Sequence, residues 1–349
     1  MCDTIYAGPA AAGEGRAWFA KNSDRHPAEP QALCLVPRAP APSVGAGPEG
    51  KPGPEGESGP GLAFALSKPS WMAGGEMGLN EKGVAIGNEA VFSRFTAKKD
   101  GILGMDILRA ALASSSTPEE ARDYICDLVE SRDQGGNGAF KGSLVYSNSF
   151  IVAGPQAGYV VETAGRRWAW RSTESIATIS NAYSIEEDYK RLDVQTRKEI
   201  SPVNEKAACS DEADAGRKGH KESWREHVQS RFYLRFTKGD SRRERTTAAL
   251  RSATPAVGMA AILGALRDHG DASAGGRPGS AGMAAPCLHE AGFPIKSTST
   301  ASVAVEYLPP SPGALALLWF TGSPHPCLSV FAPVLLAGGE FLTLWTSYD

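Results

Sequence analysis

A cysteine at position 2 carries the sharpest chemical signal in this sequence. Initiator methionine is removed when the second residue is small, and cysteine qualifies. The mature chain would then begin with one residue holding both a thiol and a free α-amine. An α-amine titrates near ~8 and a cysteine thiol near ~8.5. One residue therefore supplies a nucleophile and a base poised near neutral pH. The run Lys21-Asn22-Ser23-Asp24-Arg25 offers partners. A cation such as Lys21 near the sulfur favours thiolate, and a carboxylate such as Asp24 near the α-amine orients it. Both side chains are expected to aim inward. Taken alone, position 2 favours reading Cys2 as a small residue beside the initiator, and the run reads equally as a solvated turn.

The elements needed to bring these residues together are visible. Asp3 to Ala7 and Arg16 to Ala20 are β-prone, and Gly8-Pro9 and Ala12-Gly13-Glu14-Gly15 separate them. Two short strands around a glycine-rich turn form a hairpin, which brings residue 2 near residues 21–24. Strands are also predicted over 63–66 and 84–92, then 143–153, 159–163, 168–171 and 176–180, and finally 299–307, 314–320 and 328–336. Helical spacing covers 103–113, 117–130, 223–238, 241–252 and 256–268. Thr117-Pro118-Glu119-Glu120 is a capped helix start. Residues 185–222 are charged and poorly patterned. Strand blocks bracketing helical blocks suit two sheets packed face to face with helices outside.

Composition narrows the function class. The 349 residues carry a net charge of -3, and Lys and Arg form no block of the kind a nucleic-acid binder needs. Hydrophobic residues make up 42%, enough for a core. The cysteines, at 2, 34, 126, 209, 287 and 327, are spread widely and read as reduced thiols. With no signal-peptide pattern and no long apolar run, a cytoplasmic protein without membrane insertion is expected. Residues 38–62 and 271–285 are low in complexity. Gly47, Gly50, Gly53, Gly56 and Gly59 keep a three-residue period too short for a triple helix, so a flexible insert in a single domain over 1–349 is expected.

The residues also resemble a known family. Met1-Cys2-Asp3-Thr4 and Lys21–Arg25 look like the N-terminus of secernins. The likeness continues through Ser67–Trp71, Gly75–Phe92, Gly104-Met105-Asp106, Gln134–Asn137, Asn148–Phe150, Glu162–Gly165, Ile179-Ser180-Asn181, Thr300–Ser302, Phe320–Pro324 and Ser329–Phe331. Secernins resemble cysteine dipeptidases and, more remotely, penicillin V acylases and bile-salt hydrolases. The resemblance implies an α+β fold, the αββα sandwich of N-terminal-nucleophile (Ntn) hydrolases. It implies a cofactor-independent amide or peptide hydrolase, a dipeptidase acting on a small peptide or N-acyl amide. Cys2 matches the nucleophile and Asp24 the residue holding the α-amine. Lys21 stands where the acylases carry arginine. Asn88 matches a residue whose backbone helps form the oxyanion hole, and Asn181 one whose side-chain amide completes it. Arg231 matches an arginine near the base of the acylase site. Secernins are also linked to regulated secretion, so a weakly catalytic or non-catalytic regulatory module is the second reading. A structural interaction protein using the Pro/Gly insert is the third, and homo-oligomerisation stays open. The inserts, and an end soon after Val330-Phe331, depart from typical secernins.

The remaining motifs read as structure rather than chemistry. Cys287-x-His289 and His325-x-Cys327 invite a zinc reading, but zinc pairs usually leave two to four residues between ligands. They are read as buried thiols and loop histidines, with no metal expected. Cys126 reads as core, Trp71, Trp168 and Trp170 as packing, and Lys238 to Arg245 as a solvated helix face. Gly135–Gly138 lacks the Lys-Ser/Thr of a phosphate loop.

Overall fold

Most strands of this chain are apolar on both faces, so each sheet must be covered twice. The computed structural model describes residues 1–39, 61–200, 222–253, 255–270, 282–290, 296–309 and 314–343. In chain order the elements are β1 (Cys2–Ala7), α1 (Pro9–Ala12), β2 (Ala17–Arg25), β3 (Gln31–Val36), β4 (Phe64–Pro69), β5 (Met77–Asn80) and β6 (Ala85–Val91). Next come α2 (Gly104–Ser114), α3 (Pro118–Ser131), β7 (Ser147–Ala153), β8 (Gly158–Ala164), β9 (Arg167–Thr173), β10 (Ile176–Ile179), β11 (Arg191–Leu192) and α4 (Val194–Ile200). The chain continues with α5 (Trp224–Val228), α6 (Arg231–Thr237), α7 (Gly239–Arg251), α8 (Met259–Leu266), β12 (Thr298–Tyr307), β13 (Ala314–Thr321), β14 (Ala332–Ala337) and β15 (Glu340–Thr343).

Among the described residues the strands form two antiparallel sheets. One runs β10-β1-β2-β12-β13-β14-β15 and the other β11-β9-β8-β7-β6-β5-β4-β3. Tyr6, Phe19, Met77, Leu79, Ile151, Val160, Val303 and Val305 fill the space between them. Ile107, Leu108 and Ile125 of α2 and α3 cover the outer face of the second sheet, over Leu66, Ile86 and Val161. Leu250, Ile262 and Leu266 of α7 and α8 cover the first, over Ile5, Trp18 and Ala20. This is the expected αββα sandwich.

The expected hairpin forms, though α1 fills part of its turn and Gly13 at φ 67° ends that helix. Helix α3 starts as its sequence specifies, with Thr117 Oγ1 accepting from Glu120 N at 3.1 Å. The helix expected over 223–238 is broken. Gln229 pairs with Ser93 and Ser230 N donates to Phe92 O at 2.9 Å, so the backbone leaves the helix to bond the extension of β6. The strand expected over 328–336 starts only at Ala332, and β3, α4 and β15 carried no clear sequence signal. The low-complexity segments 38–62 and 271–285, and Cys209, lie largely or wholly outside the described residues. Among those described, no helix is long and apolar enough to cross a membrane.

Candidate active site

Cys2 opens β1, a strand held between β10 and β2, and its register partner on β2 is Ser23. Successive side chains on a strand face opposite sides. Lys21 and Ser23 therefore share the inter-sheet face with Cys2 and Thr4, whereas Asn22 and Asp24 turn to the helix-covered face with Asp3. Lys21 and Asp24, both expected to aim inward, serve opposite faces of one strand. Cys2 sits where the two environments meet, with its sulfur on one side and its backbone nitrogen reaching the other.

On the sulfur side, charge is buried. Lys21 is wholly buried, and its Nζ donates to Glu89 Oε1 at 3.3 Å. Thr4 Oγ1 donates to the same carboxylate oxygen. Room for the lysine comes from Gly87 on β6, where a Cβ would stand 2.8 Å from Lys21 Cδ and 2.9 Å from the Phe19 ring. Glu76 Oε2 lies 3.8 Å from the Cys2 sulfur, and Glu76 also accepts from Ser23 Oγ and, at 3.0 Å, from Arg25 Nη1. The N–H of Asp24 points at the sulfur from 3.5 Å. Burial pushes the Cys2 thiol up to about 12; Lys21 opposes this, and Glu76 and Glu89 add to it. Burial likewise takes Glu89 up to about 7 against the pull of Lys21. Lys21 itself is held above its ordinary value, because the thiol and Glu89 outweigh burial.

On the amine side, Cys2 N donates to Asn181 Oδ1 at 2.9 Å. Arg242 Nη2 donates to the same oxygen. Arg242 Nη1 bridges Asp3 Oδ2 at 3.2 Å and Asp24 Oδ2 at 3.1 Å, and Ser299 Oγ donates to Asp24 Oδ1 at 2.6 Å. Helix α7 delivers this arginine. Its first residue, Gly239, comes so close that a Cβ would stand 2.6 Å from the Asn181 carbonyl carbon. Thr237 Oγ1 ties the same junction to Asn181 O at 3.1 Å. Burial raises Asp24 to about 6, with the α-amino group at the chain start and Arg242 opposing.

The residues matched from sequence fall into three groups. Cys2, Lys21, Asp24 and Asn181 converge. Asn88 is nearby and buried, but its N–H donates to Glu76 O at 3.1 Å and its Nδ2 to Asn148 Oδ1 at 3.1 Å. The amide nitrogen of Asn181 is likewise engaged, donating to Ala90 O at 2.7 Å. Asn181 thus meets Cys2 through its oxygen rather than through the amide donor expected of an oxyanion hole. Arg231 does not join the cluster: it is exposed at the start of α6. The buried guanidinium is Arg242, from the run read as a solvated helix face. Its low-apolarity helix gives no sequence cue to burial. Glu76 and Glu89 were also missed as site residues, although both lie in the Gly75–Phe92 motif that carried the resemblance.

Beside this cluster, His269, Cys287, His289 and Cys327 bring metal-ligating atoms together. Ser299 links the two groups, since its Oγ also accepts from Leu288 N at 2.9 Å.

Two comparisons place this architecture. Two solved variants of the conjugated bile acid hydrolase from Clostridium perfringens superpose with TM-scores of 0.54 and 0.55, at 12% identity, over 100% of this chain and 97% of theirs. The shared fold is that of Ntn hydrolases. The profile of one family matches residues 11–192, more than half of the 349-residue chain. With β1 to β11 inside or beside that match, the chain belongs to the acyl-coenzyme A:6-aminopenicillanic acid acyl-transferase family.

Proposed function

We propose that this protein is a cysteine-type N-terminal-nucleophile amide hydrolase, a dipeptidase of the secernin kind, acting through Cys2 after loss of Met1. The observation that carries the reading is the division of surroundings at Cys2. Its sulfur faces a buried lysine, and its nitrogen faces an Asn181 oxygen shared with a buried arginine. A guanidinium donating to the same acceptor disfavours the charged ammonium. That suits an α-amine acting as a base.

In this reading the α-amine takes the thiol proton as the sulfur attacks the amide carbonyl. The tetrahedral intermediate collapses, the C–N bond breaks, and the leaving amine receives that proton. Water then attacks the thioester, with the α-amine again as base, and frees the acid. Transfer of an acyl group to the Cys2 sulfur would be the first step whether water or another acceptor then takes it. Asn88 and Asn181, the donors expected for the oxyanion, would have to exchange present partners when substrate binds. The N–H of Asp24, whose present partner is the Cys2 sulfur itself at 3.5 Å, is a third donor beside the attacking atom. Asp24 acts on the amine at one remove, by fixing Arg242 and through it Asn181.

A regulatory module without turnover is favoured by one observation: Cys2 is only 6% exposed in the chain that still carries Met1. Intact mass and turnover separate the readings. A chain lacking Met1 that hydrolyses dipeptides or N-acyl amino acids supports the enzyme. Retained or acetylated Met1 leaves no free amine on Cys2 and removes the proposed base.

A further inference from the structure

We propose that His269, Cys287, His289 and Cys327 bind a zinc ion, forming a closed structural site behind the amine face of the active site. One ligand atom from each residue lies within 4.8 Å of all the others. Cys287 Sγ and Cys327 Sγ stand 3.4 Å and 3.3 Å from His289 Nε2. With Zn–S near ~2.3 Å and Zn–N near ~2.0 Å, the sulfur–nitrogen edge of a tetrahedron is about 3.5 Å. The two thiols therefore already stand around His289 at coordination spacing. His269 Nε2 is buried with no hydrogen-bonding partner among the described residues, which is costly for a ring nitrogen unless something binds it. A set of two thiols and two imidazoles suits zinc over hard cations.

The one-residue gaps do not count against this site, because its ligands are not sequential pairs. Cys287-x-His289 and His325-x-Cys327 would each be a strained chelate only if they acted as separate pairs. The fold instead draws its ligands from three places: the residue group just after α8, the stretch 287–289, and the turn between β13 and β14. His325 is not a ligand. Its ring stacks on His289 at 3.8 Å between centroids, and Thr298 Oγ1 meets its Nε2 at 2.9 Å.

The position gives the ion a task. Cys287 N donates to Asp268 O at 2.9 Å, and Ser299 N donates to Leu288 O at 2.9 Å. Leu288, between two ligands, also donates to the Ser299 hydroxyl that bonds Asp24. Pro286 O, next to Cys287, accepts from Asn22 Nδ2 at 2.9 Å. Tying these segments together holds the floor under β2 and fixes the carboxylate that fixes Arg242. Four protein ligands leave no open position, so the ion is structural and takes no part in turnover.

The test is elemental analysis and cobalt spectroscopy on the full chain, purified with reductant from zinc-supplemented cultures. Stoichiometric zinc is expected in wild type and in Cys34→Ser, and its loss in Cys287→Ser/Cys327→Ser. Exchange with Co²⁺ should give the strong visible bands of a tetrahedral ion and a thiolate-to-cobalt charge-transfer band in the near ultraviolet. If the double variant does not fold, wild-type zinc content and the cobalt spectrum decide alone. Sub-stoichiometric zinc in wild type, zinc retained by a folded double variant, or a weak octahedral cobalt spectrum without the charge-transfer band would each overturn the proposal.

Discussion

The backbone nitrogen of Cys2 lies 2.9 Å from Oδ1 of Asn181, and Arg242 donates to the same oxygen. In the proposed reading, Asn181 would therefore position the α-amine of a chain that has lost Met1. Asn181→Asp puts a carboxylate beside that amine and stabilises its charged form. The acidic limb of the kcat/KM profile should move to higher pH. Asn181→Leu keeps the bulk but removes the acceptor, and should lower kcat about 100-fold or more, the scale of a misplaced general base. Stopped assays across pH check both. An unshifted limb in Asn181→Asp would place the base elsewhere.

Arg242 and Arg231 make a paired control. Arg242 is wholly buried between Asp3 and Asp24, so Arg242→Met leaves two carboxylates in the interior without their cation. Breaking such a pair costs about 3–5 kcal/mol, and the melting temperature and activity should fall together. Arg231 is exposed. Arg231→Ala should stay within about 0.5 kcal/mol of wild type with unchanged kcat. Calorimetry and turnover on the two variants test the reassignment.

The Lys21–Glu89 pair should behave as a unit. Lys21→Met strands Glu89 and takes away the cation that lowers the Cys2 thiol. Stability and iodoacetamide labelling of Cys2 should both drop. Lys21→Met/Glu89→Gln should recover stability but not labelling, which a double-mutant cycle reads directly.

Glu89 also sets a pH dependence. Burial raises it from 4.5 to about 7, so the native state holds this proton more tightly than the unfolded chain. Its contribution to stability is fully present below about 4.5 and is lost as pH rises through about 7. Asp24, raised to about 6, acts in the same direction. The melting temperature should fall over that window, and less steeply in Glu89→Gln, whose amide mimics the neutral acid. Equal slopes in the two proteins would contradict the buried position of Glu89.

How far the sequence could be read follows from where its information is local. The β1–β2 hairpin was legible because glycine and proline punctuate it. Helix α3 was legible because Thr117, Pro118 and Glu120 form a cap. Cys2, Lys21 and Asp24 sit on that hairpin, so the heart of the site came with it. The split between Lys21 and Asp24 was implicit in their odd and even positions, but only once a continuous strand through both is established. Arg242 was illegible because its burial depends on Gly239 docking against Asn181, more than fifty residues away in the chain. The His269–Cys327 cluster was missed for the same reason: its ligands come from segments that only the tertiary fold brings together.

If Cys2 is the covalent nucleophile, an acyl-enzyme can be trapped on it. Wild-type protein and Cys2→Ala, both confirmed to lack Met1, are mixed with a panel of dipeptides and N-acyl amino acids, quenched in acid and measured by intact mass. An acyl adduct on the first residue of the wild-type protein is expected, with turnover of the same substrate. Cys2→Ala should show neither, because nucleophile and sulfur are lost together while the amine remains. Equal hydrolysis by both proteins, or turnover with the adduct on another residue, would contradict it.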